Sequence, residues 1–198
     1  MSTFPLPNLA NYEIILASQS PRRRELLWLL DIPFRTISLD IDESFDRQQY
    51  KAGEITAFLA AKKANSFPDL KENQILITAD TTVWLDDESL EKPSNEDEAR
   101  NMLKKLSGKA HSVFTSVTLK STEKEMSFTE ETKVFFRTLS EEEIDFYIQQ
   151  YQPFDKAGAY GIQEWIGLIG IEKIEGDYFT VMGLPTQAMY LHLKDFVK

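Results

Sequence analysis

The chain has 198 residues, of which 42% are hydrophobic and 27% charged, with no cysteine and two histidines. This composition suits a single globular domain over 1–198 and excludes a disulfide scaffold, a thiolate zinc site, a cysteine nucleophile and an imidazole-rich metal centre. The formal charge of -10 disfavours general binding of nucleic acid or anionic membrane, so a polyanionic ligand needs local basic residues and a cation to override the global field.

No stretch approaches the roughly 20 uninterrupted apolar residues of a membrane span. The opening MSTFPLPNLANYE has neither a basic start nor an apolar core, which argues against a secretory signal. A soluble cytoplasmic protein is the expectation. EIILA (13–17) reads as a short strand. SQSP then leads into RRRELLWLL (22–30), with Ser20 as N-cap and Pro21 at the first helical position. FRTISLDIDESFD (34–46) reads as a strand that ends in Asp40, Asp42, Glu43 and Asp46. A helix follows around Ile55, Phe58, Leu59 and Ala60, with Lys62 and Lys63 towards its end. QILITAD (74–80) is an apolar strand closing on Asp80, and VWLDDESLEKP (83–93) is a hairpin, or a strand and loop, around Asp86 and Asp87.

Ser94 with Asp97 makes a capping-box-like start for a helix in which Ala99, Met102, Leu103 and Leu106 recur at helical spacing, with Gly108 as its stop. HSVFTSVTL (111–119) and KEMSFTEETKVFFRTL (124–139) alternate as two strands joined by a polar turn at 120–123. Ser140 and Glu143 cap a helix reaching about Gln150. FDKAGAYGIQ (154–163) lacks the periodicity of a regular element. LIGIEKIEG and DYFTVMG read as a strand pair turning near Glu175 and Gly176, and LPTQAMYLHLKDFV closes the chain as a helix. Strands alternating with helices make the whole an α/β protein.

The sharpest chemical signal is SQSPRRR. A helix N-terminus attracts anions through its unpaired N–H groups, and Ser18 and Ser20 can add hydroxyl donors. Arg22 and Arg23 can bind phosphate oxygens in bidentate fashion, whereas arginines at a helix start oppose the dipole unless an anion answers them. The second signal is acidic. Asp80 at the end of an apolar strand and Glu43 in the 40–46 cluster are hard oxygen ligands of the kind that hold Mg²⁺ or Mn²⁺ together with substrate phosphates. Lys63, Lys92, and Lys156 beside Asp155 form a third set. His111 reads as structural or as a polar contact, and His192 as non-chemical. No GxGxxG, phosphate-binding P-loop or GxSxG elbow is present.

In order along the chain, LASQSPRRRELL (16–27), DES (42–44), LAAKKA (59–64), ADTTV (79–83), LEKP (90–93), LSGKAHSVFTSV (106–117), FDKAGAYGIQ (154–163) and GDYFTVMGLP (176–185) resemble the Maf family of nucleoside triphosphate pyrophosphatases. The resemblance implies an elongated mixed sheet with flanking helices and a central cleft, similar to inosine-triphosphate pyrophosphatases. It implies hydrolysis between the α- and β-phosphates, giving a monophosphate and pyrophosphate. Arg22, Thr81 and Gln163 match the branch that acts on dTTP and UTP. Departures are Arg24, Thr82 and the EWIGL that follows Gln163, which could reshape the pocket wall.

On that resemblance Arg22, Arg23, Lys63 and Lys92 neutralise the triphosphate, Glu43 and Asp80 hold a divalent metal, and Asp80 is the proton acceptor for the attacking water. Asp155 and Lys156 shape the cleft or assist binding, and Ser18, Ser20, Thr81 and Gln163 contact substrate. A homodimer is part of what the family implies. Two other readings are a nucleotide-binding regulator of septum formation and a 7-methyl-GTP pyrophosphatase.

Overall fold

The computed structural model describes residues 6–198; residues 1–5, part of the opening read above as no secretory signal, lie outside the described residues. The aliphatic run of β1 (Glu13–Ala17) pairs in parallel with β2 (Phe34–Ile37) on one side and with β3 (Gln74–Leu85) on the other. Near-continuous apolar runs are what parallel strands covered on both faces require. Beyond β3 the pairing turns antiparallel. β5 (Ala110–Lys120), β6 (Glu125–Phe136) and β7 (Ile171–Glu175) follow, while β4 (Glu88–Leu90) folds back on the end of β3. The result is one seven-stranded mixed sheet in the order β2-β1-β3-β5-β6-β7.

Seven helices flank it among the described residues: α1 (Pro21–Trp28), α2 (Gly53–Asn65), α3 (Glu96–Leu106), α4 (Glu141–Tyr151), α5 (Trp165–Gly170), α6 (Tyr178–Met182) and α7 (Thr186–Phe196). Two main hydrophobic clusters form against the sheet. In one, Leu26 and Leu27 of α1 and Met189 and Leu193 of α7 pack with β1 and with Ile75, Ile77 and Ala79 of β3. In the other, Leu103 and Leu106 of α3 and Tyr147 and Ile148 of α4 pack with Val83, Val113 and Phe136. Each fully buried Leu contributes about 1.5–3 kcal/mol. Asp80 and Thr81 lie on β3 between its contributions to these two clusters, and that seam is where the cleft opens.

Several elements differ from the sequence expectation. β2 stops at Ile37, so the acids of 40–46 lie in a loop where the Asp42 carboxylate accepts from the N–H and the hydroxyl of Ser44. β3 does not close on Asp80 but runs on through the β-branched Thr81, Thr82 and Val83 to Leu85, which leaves Asp80 in mid-strand. The hairpin to β4 turns on Asp86 and Asp87, both at positive φ (50° and 62°), as a two-residue primed turn requires. At α3 the cap is Asn95, whose side chain accepts from Glu98 N at 2.9 Å, while Glu98 reaches back to Ser94. β6 ends at Phe136, and its turn from β5 occupies 121–124.

The strand pair expected after 168 is instead helix, strand, helix. Residues 165–170 form α5, β7 pairs with β6, and 178–182 form α6. Asp177 caps α6 by accepting from Thr180 N at 2.8 Å, and Gly183 ends it at φ +108°. The cap and stop override the β preference of Tyr178, Phe179, Thr180 and Val181. The Ser140–Glu143 capping box on α4 forms as read, and 154–163 contains only a 3-10 turn at Ala157–Ala159. Among the described residues no helix is long and apolar enough to cross a membrane.

Candidate active site

The turn after β1 is built first by its own hydroxyls. Ser18 N donates to Ile37 O at 3.1 Å, Ser20 N donates to Ser18 Oγ at 3.1 Å, and Arg23 N donates to Ser20 Oγ at 3.4 Å. Both serines act here as acceptors, so their hydroxyl hydrogens stay available to an incoming oxygen. Pro21 opens α1 at the position where its missing N–H costs nothing. The sequence thereby points the N-terminus of α1 at the seam between the clusters.

A cleft of about 590 Å³ opens there. Ser18, Ser20, Arg22, Arg23, Glu43, Lys63, Asp80, Thr81, Lys92, Asp155, Lys156 and Gln163 all line it. Every candidate singled out in the sequence shares this one cavity, although they are spread over most of the chain.

Arg23 is a tie within the wall. Its Nε donates to Gly183 O at 2.8 Å, Nη1 to Ala79 O at 2.9 Å and Nη2 to Thr81 Oγ1 at 3.0 Å. Two of its five N–H groups remain for a ligand. Burial draws its pKa down, against the opposing pull of Asp80, yet a guanidinium stays charged at neutral pH. The Thr115 hydroxyl donates to Thr180 O at 2.7 Å, which makes Thr81 the donor in its 2.9 Å contact with Thr115. Thr81 therefore offers the cleft one lone pair and no hydrogen.

Lys63, in the last turn of α2, lies between two carboxylates: 2.6 Å from Asp80 Oδ1 and 2.9 Å from Glu43 Oε1. Asp80 Oδ2 accepts no bond among the described residues and is free to take a proton. Burial pushes the Glu43 carboxyl up, but Lys63, then Lys92 and Arg23, hold it net below the ordinary carboxylate range. Glu43 is thus a fixed negative charge in a cationic surround.

A second lysine repeats the arrangement. Lys156 Nζ lies 2.6 Å from Asp155 Oδ1 and 3.1 Å from Glu164 Oε1. Arg22 Nη1 donates to Asp155 Oδ2 at 2.9 Å, which ties α1 to the 154–163 segment. Burial raises the Asp155 carboxyl, and Lys156 and Arg22 together overcome that and hold it low. Gln163 Oε1 is shut off from solvent and accepts no hydrogen bond among the described residues. An unmet buried acceptor at a cleft wall suits a ligand N–H.

One layer behind the cleft, His111 Nε2 lies 2.8 Å from Tyr160 Oη, and burial pulls the imidazole pKa down to about 4. His192 stacks on Phe128 with centroids 4.1 Å apart. Both histidines hold structural places. Sequence reasoning missed Thr115, Tyr147 and Glu164. Thr115 stands opposite Thr81 in the β3–β5 register, a pairing no local pattern encodes, and the EWIGL departure was the only pointer to Glu164.

Among the described residues, no group of three or more His, Cys, Asp or Glu could by itself hold a metal ion. Two carboxylates do converge on one cation, the Lys63 ammonium. That donor set fits a divalent ion whose remaining ligands are water and phosphate oxygens, not an all-protein cage.

A family model described as Maf-like protein matches residues 13–196. The chain is 51% identical over 190 residues to a dTTP/UTP pyrophosphatase of Phocaeicola vulgatus, covering 96% of this chain and 98% of that one. It is 49% identical over 191 residues to a dTTP/UTP pyrophosphatase of Bacteroides thetaiotaomicron, with 96% and 98% covered. It is 50% identical over 190 residues to a dTTP/UTP pyrophosphatase of Christiangramia forsetii, with 96% of each covered.

Proposed function

This chain belongs to the Maf-like protein family, and we propose that its cleft hydrolyses dTTP and UTP to the monophosphate and pyrophosphate. The observation that carries this is the cation-bridged pair of acids, Glu43 and Asp80, set among Arg22, Arg23, Lys92 and Lys156 in a protein of net charge -10. Such a site answers a polyanion locally while the rest of the surface repels it.

The triphosphate lies over the α1 N-terminus, where Ser18 and Ser20 give hydroxyl hydrogens and Arg22, Lys92 and Lys156 give charge. Glu43 and Asp80 would hold Mg²⁺ or Mn²⁺, which when bound neutralises triphosphate charge and polarises a phosphorus–oxygen bond. Asp80 Oδ2 takes the proton of the water attacking the α-phosphorus, and the Lys63 ammonium against Oδ1 keeps the carboxylate oriented for it. Pyrophosphate leaves with its charge met by the basic wall.

At the other end, a pyrimidine presents carbonyl oxygens and one ring N–H. The lone pair of Thr81 and the unmet Oε1 of Gln163 are acceptors suited to that N–H. We place the activity in the cytoplasm. Metal-dependent pyrophosphate release across a nucleotide panel tests the reading. Pyrophosphate and monophosphate from dTTP and UTP are expected. A diphosphate plus orthophosphate would mean the wrong bond, and preference for 7-methyl-GTP the wrong base.

A further inference from the structure

The EWIGL that follows Gln163 takes no part in the proposed hydrolysis. We propose that Glu164 is a positioning residue: it fixes the Lys156 ammonium for the triphosphate and, with Tyr147, fixes the turn that presents Gln163. The inference rests on the pyrophosphatase reading and deepens it.

Glu164 precedes α5 at the N-cap position, yet its side chain makes no capping bond. The carboxylate turns back into the protein instead. Oε2 accepts the Tyr147 hydroxyl, and Oε1 lies 3.1 Å from Lys156 Nζ. Tyr147 is fully buried on α4, and its oxygen accepts Gly161 N at 3.0 Å. Glu164 N in turn donates to Gly161 O at 3.0 Å. The turn 161–164, with Gln163 inside it, is therefore held from both ends. A Cβ on Gly161 would stand 2.8 Å from Glu164 Cδ, so the carboxylate folds over that position only because it is glycine.

The charge arithmetic favours a role through Lys156. The lysine side chain is 8% exposed, and its two acids differ: Asp155 is 55% exposed and shared with Arg22, whereas Glu164 is 19% exposed. An ammonium has three donors. Asp155 and Glu164 take two, leaving one for a phosphate oxygen. Without Glu164, the buried ammonium must lean on Asp155 alone, in competition with Arg22, and a buried charge short of a partner relocates or weakens its site. Burial, reinforced by Glu164, raises the Tyr147 phenol, which keeps it a donor to the carboxylate throughout the working pH range.

The test uses the full chain and two readouts. Calorimetry measures the Kd of inorganic triphosphate, which needs no turnover, and steady-state kinetics measures UTP hydrolysis. Glu164→Gln keeps an acceptor for Tyr147 and removes the charge. Triphosphate Kd and KM for UTP are each expected to rise about tenfold with kcat nearly unchanged, and the effect should vanish in a Lys156→Gln background. Equal losses in both backgrounds would show a merely structural role and overturn the proposal, as would an unchanged Kd in Glu164→Gln.

Should the Lys156 variant not fold, Glu164→Asp decides by rescue. It should recover part of the triphosphate affinity, and an Asp variant as weak as Gln overturns the proposal. Tyr147→Phe separates the second limb: it should lower the preference for UTP over GTP several-fold while leaving triphosphate Kd within about twofold. The reverse pattern overturns that limb. Wild-type protein that binds triphosphate but releases no pyrophosphate would refute the enzymatic reading while the Glu164–Lys156 coupling remains measurable. Wild-type protein that binds no triphosphate overturns both.

Discussion

Two lysines serve the same cleft, and each stands between one shielded and one open carboxylate. Lys63 has Asp80 (13% exposed) and Glu43 (49%), and Lys156 has Glu164 (19%) and Asp155 (55%). The supports differ. Lys63 and Asp80 come from α2 and the middle of β3, so regular backbone hydrogen bonding sets their separation. Lys156, Asp155 and Glu164 lie within ten residues of one another on irregular chain, and their places depend on side chains brought from α1 and α4. A group that must meet a proton in flight gains from a rigid strand, whereas groups that cradle a flexible polyanion tolerate adjustment. Under the proposed function the first triad suits chemistry and the second suits grip.

The strongest way to break that contrast is Asp80→Asn. It keeps size and most hydrogen bonding, and kcat should fall by about two orders of magnitude or more, the usual loss for a general base. Near-normal turnover would move the base elsewhere.

Next comes the layer behind the second triad. His111 has a pKa of about 4 in the folded protein against 6.5 for the free group. The unfolded chain therefore binds more protons between those values, so this stability is fully present above 6.5 and lost as pH falls towards 4. The loss amounts to about 3 kcal/mol. Urea unfolding at the two ends of that window should show it in the wild type and not in His111→Gln. An equal slope in both would place the effect in other groups.

A smaller change is expected from Thr81→Gln combined with Gln163→Glu. The ratio of kcat/KM for UTP to that for a methylated guanine nucleotide should drop by about tenfold or more. Matched losses would mean these residues support the wall and do not read the base. Smallest of all, Asp155→Asn should raise KM for UTP about tenfold or less with kcat nearly intact, because it removes a charge shared by Arg22 and Lys156 without touching the reacting atoms. A kcat collapse there would erase the distinction between the two triads.

Most of the candidate site was readable because its parts sit on short motifs with local physical signatures: an N-cap and proline at Ser20–Pro21, an acid closing an apolar run at Asp80, a lysine at a helix end at Lys63. The helices at 165–170 and 178–182 were not readable from β-rich composition, because Asp177 and Gly183 act through capping geometry and Gly167 accommodates the Ile162 carbonyl, which would stand 2.0 Å from a Cβ. The extent of β3 was missed because Asp80 reads as punctuation when its neighbours across the sheet are unknown. Thr115 and Tyr147 were invisible for a related reason: each matters through one partner supplied by strand register or helix packing.

β3 runs through every hydrophobic cluster: Leu76 belongs to the small one with Ile15 and Ala64, Ala79 to the one under α1 and α7, and Val83 to the one under α3 and α4. Asp80 stands opposite Ser116 of β5, whereas the edge strands β2 and β7 reach β3 only through β1 and β6. Amide protons around 79–83, central in the sheet, should exchange with solvent by global opening, and those of β2 and β7 by smaller local openings. Heat inactivation is therefore expected to follow the loss of tertiary structure around β3 and not the earlier fraying of the edge strands, which parallel melts followed by activity and by near-UV circular dichroism would check.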